Sequence, residues 1–190
     1  MIDNLSLVAF ILLAALAAGR GMMLRRRGIN PFVFGETDKS DFLLLPVVAF
    51  MIYAILTPVF SLPFPMILLK SFFTNTVISW IGIILCFASL LWFALTLKAF
   101  GTSFRIGIDE STPDKLITSG TFALSRNPLY VAMLFFITGM LLSHPNIVAC
   151  AALIFFSIII RRQILREEKF LRKHYGAEYE EYCRKVRRYL

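Results

Sequence analysis

The sequence predicts an all-α protein, a polytopic membrane helical bundle of about five transmembrane helices, with helices 4 and 5 as a short hairpin and cytoplasmic C-terminal helices beyond them. Three observations predict it. The 190 residues are 58% hydrophobic and only 17% charged, where a soluble domain has roughly 45–50% apolar and about 25% charged residues. Five apolar stretches approach the roughly 20 residues that a helix needs to cross about 30 Å of hydrocarbon. The basic residues are distributed between those stretches on one side only.

The first stretch runs from Leu5 to Gly19, extends as far as Leu24, and ends at Arg25-Arg26-Arg27. A signal peptide would carry a basic segment in front of its apolar run; here only Asp3 precedes it, which argues for a retained anchor. The second is Phe42 to Leu62, whose Pro46 and Pro58 are tolerable in a membrane helix. The third, Thr74 to Ala99, is the longest and carries Trp80 and Trp92, whose amphipathic rings favour membrane interfaces. Pro128 and Pro145 bracket the fourth, Leu129 to His144, and the fifth, Asn146 to Ile160, follows almost without a loop. At about 1.5 Å per residue each of these two covers roughly 24 Å, so they form a tight hairpin that just spans or one that dips in and returns. Either version brings the chain back to the side it left.

The net charge is +8, from 20 Lys and Arg against 12 Asp and Glu. With five crossings, Arg20, Arg25, Arg26, Arg27 and Lys39 fall on the same side as Lys98, Arg105, Lys115, Arg126 and the tail, leaving Lys70 alone opposite. Nineteen of the 20 basic residues therefore lie on one side. The positive-inside rule makes that side cytoplasmic and puts the N-terminus outside. Orientation thus accounts for the basic excess and removes a nucleic-acid partner. Cys86, Cys150 and Cys183 are scattered, and His144 and His174 are the only histidines. That excludes an ordinary zinc site, a disulfide framework and a histidine-rich di-iron oxygenase, so no metal is expected. There is no internal repeat or separate soluble domain. Residues 1–100 read as an N-terminal three-helix membrane region and 101–190 as loop, hairpin and tail, in one integrated domain.

The tail from Arg161 continues the fifth helix into the cytoplasm as far as Gly176. Ile164, Leu171 and Tyr175 share a stripe, and Glu167 and Glu168 lie within about 60° of Ile164, on the same face. Arg162, Arg166, Lys169 and Lys173 take the opposite face. Carboxylates on an apolar stripe are costly unless they meet a cation or donors. An i,i+4 pair of Glu168 with Arg172 is one local solution; a cationic ligand is another. After Gly176, a plausible C-cap, Tyr179, Tyr182, Cys183, Val186 and Leu190 recur at helical spacing, giving an amphipathic helix with Cys183 as core filler. The third loop, Gly101 to Asn127, is long for a compact bundle, and such loops are usually functional or disordered. Its Phe104, Ile106, Ile108, Leu116, Ile117 and Phe122 favour order, while Gly101, Gly107 and Gly120 allow close backbone approach. Pro128 suits a first helical position. The helix it starts presents backbone N–H groups to a carboxylate or phosphate, with Tyr130 one turn inside.

Taken together, Lys115-Leu116-Ile117, Gly120, Arg126-Asn127-Pro128-Leu129-Tyr130, Gly139, Leu142, Glu167-Glu168, Leu171, Tyr175-Gly176, Glu178-Tyr179 and Tyr182 resemble the C-terminal signature of the isoprenylcysteine carboxyl methyltransferase and phospholipid methyltransferase superfamily. The resemblance covers about residues 101–190; the first half matches only in being helical and apolar. It implies S-adenosylmethionine held in a cytoplasm-facing pocket without a Rossmann domain, in keeping with the lack of a GxGxxG pattern. Lys115, Leu116, Ile117 and Gly120 would line the adenine side, and Arg126, Asn127, Pro128 and Tyr130 the amino-acid and ribose portions. Glu167 and Glu168 would face the cationic end. Asn127 and Phe122 stand where many members have His and Tyr. The acceptor would be lipophilic, an isoprenylcysteine-type carboxylate in first place, with Arg105 and Arg162 as candidates to orient it. Partners are the bilayer and that acceptor.

Two other readings compete. An NADPH-dependent sterol-type membrane reductase would share the helical cofactor pocket, but NADPH phosphates call for arginines where Glu167 and Glu168 stand. A non-catalytic membrane scaffold would rely instead on Arg162, Arg166, Lys169 and Lys173 to hold anionic lipid.

Overall fold

The computed structural model describes residues 1–28, 49–50, 52–53, 56–57, 60–101 and 115–190. Among them are five α-helices and no strand: α1 (Ile2–Arg26), α2 (Thr76–Phe100), α3 (Pro128–Ser143), α4 (Ile147–Tyr175) and α5 (Ala177–Lys185). Two 3-10 turns, Met66–Leu69 and Gly120–Ala123, precede α2 and α3. Three helices, α1, α2 and α4, are long and apolar enough to cross a membrane, and α3 is a shorter apolar helix. The expected second span, Phe42–Leu62, falls largely outside the described residues.

Local chemistry sets the helix ends. Asn75 caps α2 by accepting the Ile78 N–H at 3.1 Å, and Asn146 caps α4 by accepting the Ala149 N–H at 2.9 Å. Each such cap contributes about 1 kcal/mol. At the other ends, Gly101 (φ 54°) stops α2 and Gly176 (φ 52°) stops α4, both in the left-handed region where a Cβ is disfavoured. The fifth expected span and the tail are one unbroken helix of 29 residues, roughly 43 Å long at about 1.5 Å per residue. It carries the charged stripe well beyond the hydrocarbon.

The α2–α3 pair is the centre of the bundle. A Cβ on Gly82 would stand 2.5 Å from the Gly139 carbonyl oxygen, and one on Gly139 would stand 2.7 Å from the Cys86 sulfur. Backbones this close explain both glycines, since helix association in lipid rests on van der Waals contact rather than on hydrophobic exclusion. Cys86 Sγ contacts the Phe136 carbonyl at 3.6 Å, and Ser79 Oγ donates to the Ser143 carbonyl at 3.4 Å. Around this seam pack Ala9, Leu90 and Phe136, then Leu24, Phe93, Leu97 and Ala132. On the other side of α3, Ile137 meets Phe156, Ile160 and Ile164 of α4. The outward faces stay apolar: Ile81, Ile84, Leu91 and Leu95 on α2 and Ile154, Phe155 and Ile158 on α4 are exposed. A stripe of that extent needs hydrocarbon around it.

These contacts give the bundle two distinct ends. Asp3, Ser6 and His144 meet at one, where His144 Nε2 lies 2.9 Å from Ser6 Oγ and Nδ1 lies 3.6 Å from Asp3. Leu24, Leu97 and Leu129 meet at the other. Helices α1 and α2 therefore run parallel. The Trp92 indole N–H donates to the Pro128 carbonyl at 2.9 Å, fixing the start of α3 against α2.

Candidate active site

The charged end of the bundle is built by three segments that converge on Glu168. The first is Thr121–Tyr130, leading into α3. Its Pro128 occupies the first helical turn, and Asn127 sits at the capping position without capping the helix through its side chain. The second is the extension of α4 beyond Ile160. The third is α5 with residues 186–190, which lie back along the first segment: the Arg126 N–H donates to the Arg187 carbonyl at 2.9 Å. The Asn127 side-chain amide (3.1 Å) and the Ser125 hydroxyl (3.3 Å) both donate to the Arg188 carbonyl. Tyr182 OH donates to the Phe122 carbonyl at 2.7 Å. Tyr189 packs against the Ile137–Ile164 cluster.

Glu168 is 4% exposed, so its charge must be met inside the protein. Arg188 does this with a two-pronged contact, Nε to Oε1 at 3.0 Å and a terminal nitrogen to Oε2 at 2.8 Å. The Arg126 guanidinium adds a contact at 3.5 Å to Oε1 and donates through its other terminal nitrogen to Cys183 Sγ. The hydrogen bonds to Glu168 hold the Arg188 guanidinium above its ordinary range. Burial pushes the Tyr179 and Tyr182 hydroxyls up, so both are neutral.

The neighbouring carboxylate has different surroundings. Successive helical residues point about 100° apart, and Glu167 faces α3 rather than the 186–190 segment. Tyr130 OH donates to Glu167 Oε1 at 2.5 Å and the Gln163 side-chain amide donates to the same oxygen at 3.0 Å. Glu167 and Tyr130 are half-buried. Expected as a like-acting pair, Glu167 and Glu168 are thus set in different networks: Glu168 meets Arg188 and Arg126, and Glu167 meets Tyr130 and Gln163.

The structure brings Arg126, Asn127, Pro128, Tyr130, Glu167 and Glu168 together. Leu116 and Ile117 are half-buried on the approach, Lys115 and Gly120 are exposed, and Gly120 (φ 65°) opens the 3-10 turn that carries Phe122 into an edge-on contact with Phe100 at 4.8 Å. Arg162 is exposed on α4, and Arg105 lies outside the described residues. The local i,i+4 partner expected for Glu168 is corrected: Arg172 pairs with Glu180 of α5 at 3.3 Å, because Glu168 faces inward where Arg172 cannot follow. Cys183 is half-buried rather than core. Sequence reasoning missed Arg188, Ser125 and Gln163. Gln163 left a signal, an uncharged polar residue on the apolar stripe one turn before Glu167. Arg188 left none, being one of four basic residues between 184 and 188.

Residues 75–178 match the family model for phospholipid methyltransferases. Two curated relatives, the probable protein-S-isoprenylcysteine O-methyltransferases of Oryza sativa subsp. indica and subsp. japonica, are each 33% identical over 113 residues, which cover 57% of this chain and 59% of theirs. The chain thus spans under two thirds of the length of these relatives.

Proposed function

The chain belongs to the phospholipid methyltransferase family, and on that footing we propose that it is a membrane methyltransferase. It takes its methyl group from S-adenosylmethionine and transfers it to a lipophilic acceptor, an isoprenylcysteine-type carboxylate. The observation that carries the reading is the half-buried Glu167 carboxylate, held by Tyr130 and Gln163 beside the start of α3.

The residues suit the proposed cofactor. Its amino-acid end joins a carboxylate to two cationic centres, the ammonium and the sulfonium. The uncapped start of α3 offers the positive end of a helix dipole. Arg126 Nε and Thr121 Oγ1, buried without hydrogen-bond partners among the described residues, are donors on the same segment. Glu167 supplies the negative charge. Backbone around Leu116, Ile117 and Gly120 would flank the adenine, with Lys115 at the solvent edge. When bound, S-adenosylmethionine supplies a methyl on a positively charged sulfur, which leaves with the bonding electron pair as a neutral thioether.

The protein's task is then alignment and dryness more than proton transfer. An ionised carboxylate acceptor brings its own nucleophilic oxygen, so no general base is needed. Holding acceptor oxygen, methyl carbon and sulfur in line converts a bimolecular step into an intramolecular one. The Phe100–Phe122 contact, with Tyr182 bound to the Phe122 carbonyl, lies on the segment leading into α3 and would help to keep water out. Arg162 and Arg105 are the proposed partners of the acceptor carboxylate. The membrane orientation proposed with this function puts the charged end in the cytoplasm and the Asp3–His144 end outside, by the excess of basic residues at the former.

The test uses the full-length protein purified in detergent. S-adenosylmethionine should bind in the micromolar range, and Glu167→Gln should weaken that binding about tenfold or more, the scale of one lost charge-assisted contact. Labelled methyl should pass to a prenylcysteine in preference to a phospholipid amine, a small thiol or an isoprenoid acid. Absence of cofactor binding by a folded protein refutes the reading.

A further inference from the structure

Arg188 is not required by anything in the proposed chemistry, yet it joins Glu168 to Asn127 and Ser125 at the charged end. Its guanidinium spans both oxygens of buried Glu168, and its carbonyl receives Asn127 and Ser125. We propose that Arg188 is a positioning residue for the cofactor site: by neutralising buried Glu168 it leaves Arg126 in its contact with Cys183, and so fixes the start of α3 relative to Glu167. This inference rests on the functional reading above and deepens it.

The geometry explains why loss of the side chain would be felt at Arg126 and Tyr130, which Arg188 does not touch. Glu168 is buried and must have a cation. Without the Arg188 fork, the nearest one is Arg126, now 3.5 Å from Oε1. Arg126 would move toward the carboxylate, giving up its contact with Cys183. Arg126 is two residues from Pro128, so that movement is passed to the first turn of α3 and to the Tyr130 hydroxyl on Glu167. The carbonyl contacts from Asn127 and Ser125 remain in any side-chain variant, so the segment stays attached but out of register. A two-pronged contact also explains arginine here, since a lysine ammonium cannot reach both oxygens in that geometry.

The experiment compares S-adenosylmethionine KM and kcat for Arg188→Ala, Arg188→Lys, the double variant Arg188→Ala with Glu168→Gln, and the exposed control Arg184→Ala. All are measured on full-length protein well below its melting temperature. Arg188→Ala should raise the cofactor KM about tenfold, the effect of a lost hydrogen bond to a charged group, with the acceptor KM unchanged. Arg188→Lys should recover part of it. The double variant should return to within about threefold of wild type, because the unpaired buried carboxylate is gone. A merely structural role would lower the folded fraction without moving KM, and the double variant, lacking both partners, would do no better. Wild-type KM in Arg188→Ala, or a double variant as weak as the single one, overturns the inference while leaving the methyltransferase reading intact. If Arg188→Ala does not fold, the double variant and Arg188→Lys decide. Wild-type protein that binds no S-adenosylmethionine is a separate outcome, which overturns the functional reading and this inference with it.

Discussion

Replacing Gly82 with alanine should damage the bundle, although alanine is the better helix former. The new Cβ would lie 2.5 Å from the Gly139 carbonyl oxygen, 2.5 Å from Ser143 Oγ and 2.6 Å from Ser143 N. Two of these three neighbours are backbone atoms of α3 and cannot rotate aside, so the helices have to separate by about 1 Å to restore ordinary contact. Overpacking of this kind costs about 1–3 kcal/mol, and the rigid partners argue for the upper end. The helix propensity of alanine returns at most about 1 kcal/mol. A net loss of about 2 kcal/mol remains, which for a chain of this size lowers the melting temperature by about 4–8 °C.

The control is the same substitution at Gly19 on α1, where nothing lies within 4 Å of the added Cβ. There only the propensity term acts, so Gly19→Ala should raise the melting temperature by up to about 4 °C. Thermal unfolding in detergent, followed by tryptophan fluorescence, reads the seam directly, because Trp80 and Trp92 both lie on α2. Opposite signs for the two variants are expected. A Gly82→Ala protein as stable as wild type, or two shifts of the same sign, would refute the claim that backbone contact at the α2–α3 seam holds the bundle.

Other predictions follow from single contacts. Tyr130→Phe removes the 2.5 Å hydrogen bond to Glu167, and should weaken S-adenosylmethionine binding about threefold to tenfold by calorimetry while leaving the melting temperature within about 2 °C of wild type. Tyr182→Phe leaves the Phe122 carbonyl without its 2.7 Å donor and should cost about 1–2 kcal/mol in denaturant unfolding. His144→Ala removes the 2.9 Å contact of the ring nitrogen with Ser6 Oγ at the far end of the bundle and should cost about 1 kcal/mol in denaturant unfolding while leaving S-adenosylmethionine binding unchanged.

Much of the fold was legible because apolar length and charge placement act at the scale of whole helices. Pro128, Asn146 and Gly176 mark the ends of helices in the sequence, and the structure uses all three. Helix 5 and the tail prove continuous because no breaker stands between Asn146 and Gly176. The pairing at the site was less legible. Periodicity put Glu167 and Glu168 on an apolar stripe but could not tell which element each would face. The partner that decides the question, Arg188, is 20 residues away on a segment beyond α5. Nor does composition show that Trp92 reaches a neighbouring helix's carbonyl. Contacts made across elements depend on how the elements pack, and a single sequence carries little trace of that.

The two glutamates show where the fold's constraint is applied. A buried ion pair such as Glu168 with Arg188 and Arg126 gives little net stability, because desolvating the charges offsets most of their attraction. Its effect is geometric: an unmatched Glu168 is so unfavourable that alternative placements of the 186–190 segment are suppressed. The proposed methyl transfer from a sulfonium asks for this sort of control, since such an electrophile is already reactive and rate depends on alignment. Tyr130 and Glu167 then need no strong base between them. They need a fixed separation, which the Trp92 hydrogen bond to the Pro128 carbonyl sets from the α2 side and the Arg188 contact sets from the α4 side. Disturbing either should act on cofactor affinity before it acts on folding at moderate temperature, and disturbing both should give more than the sum of the two, because they position the same first turn of α3.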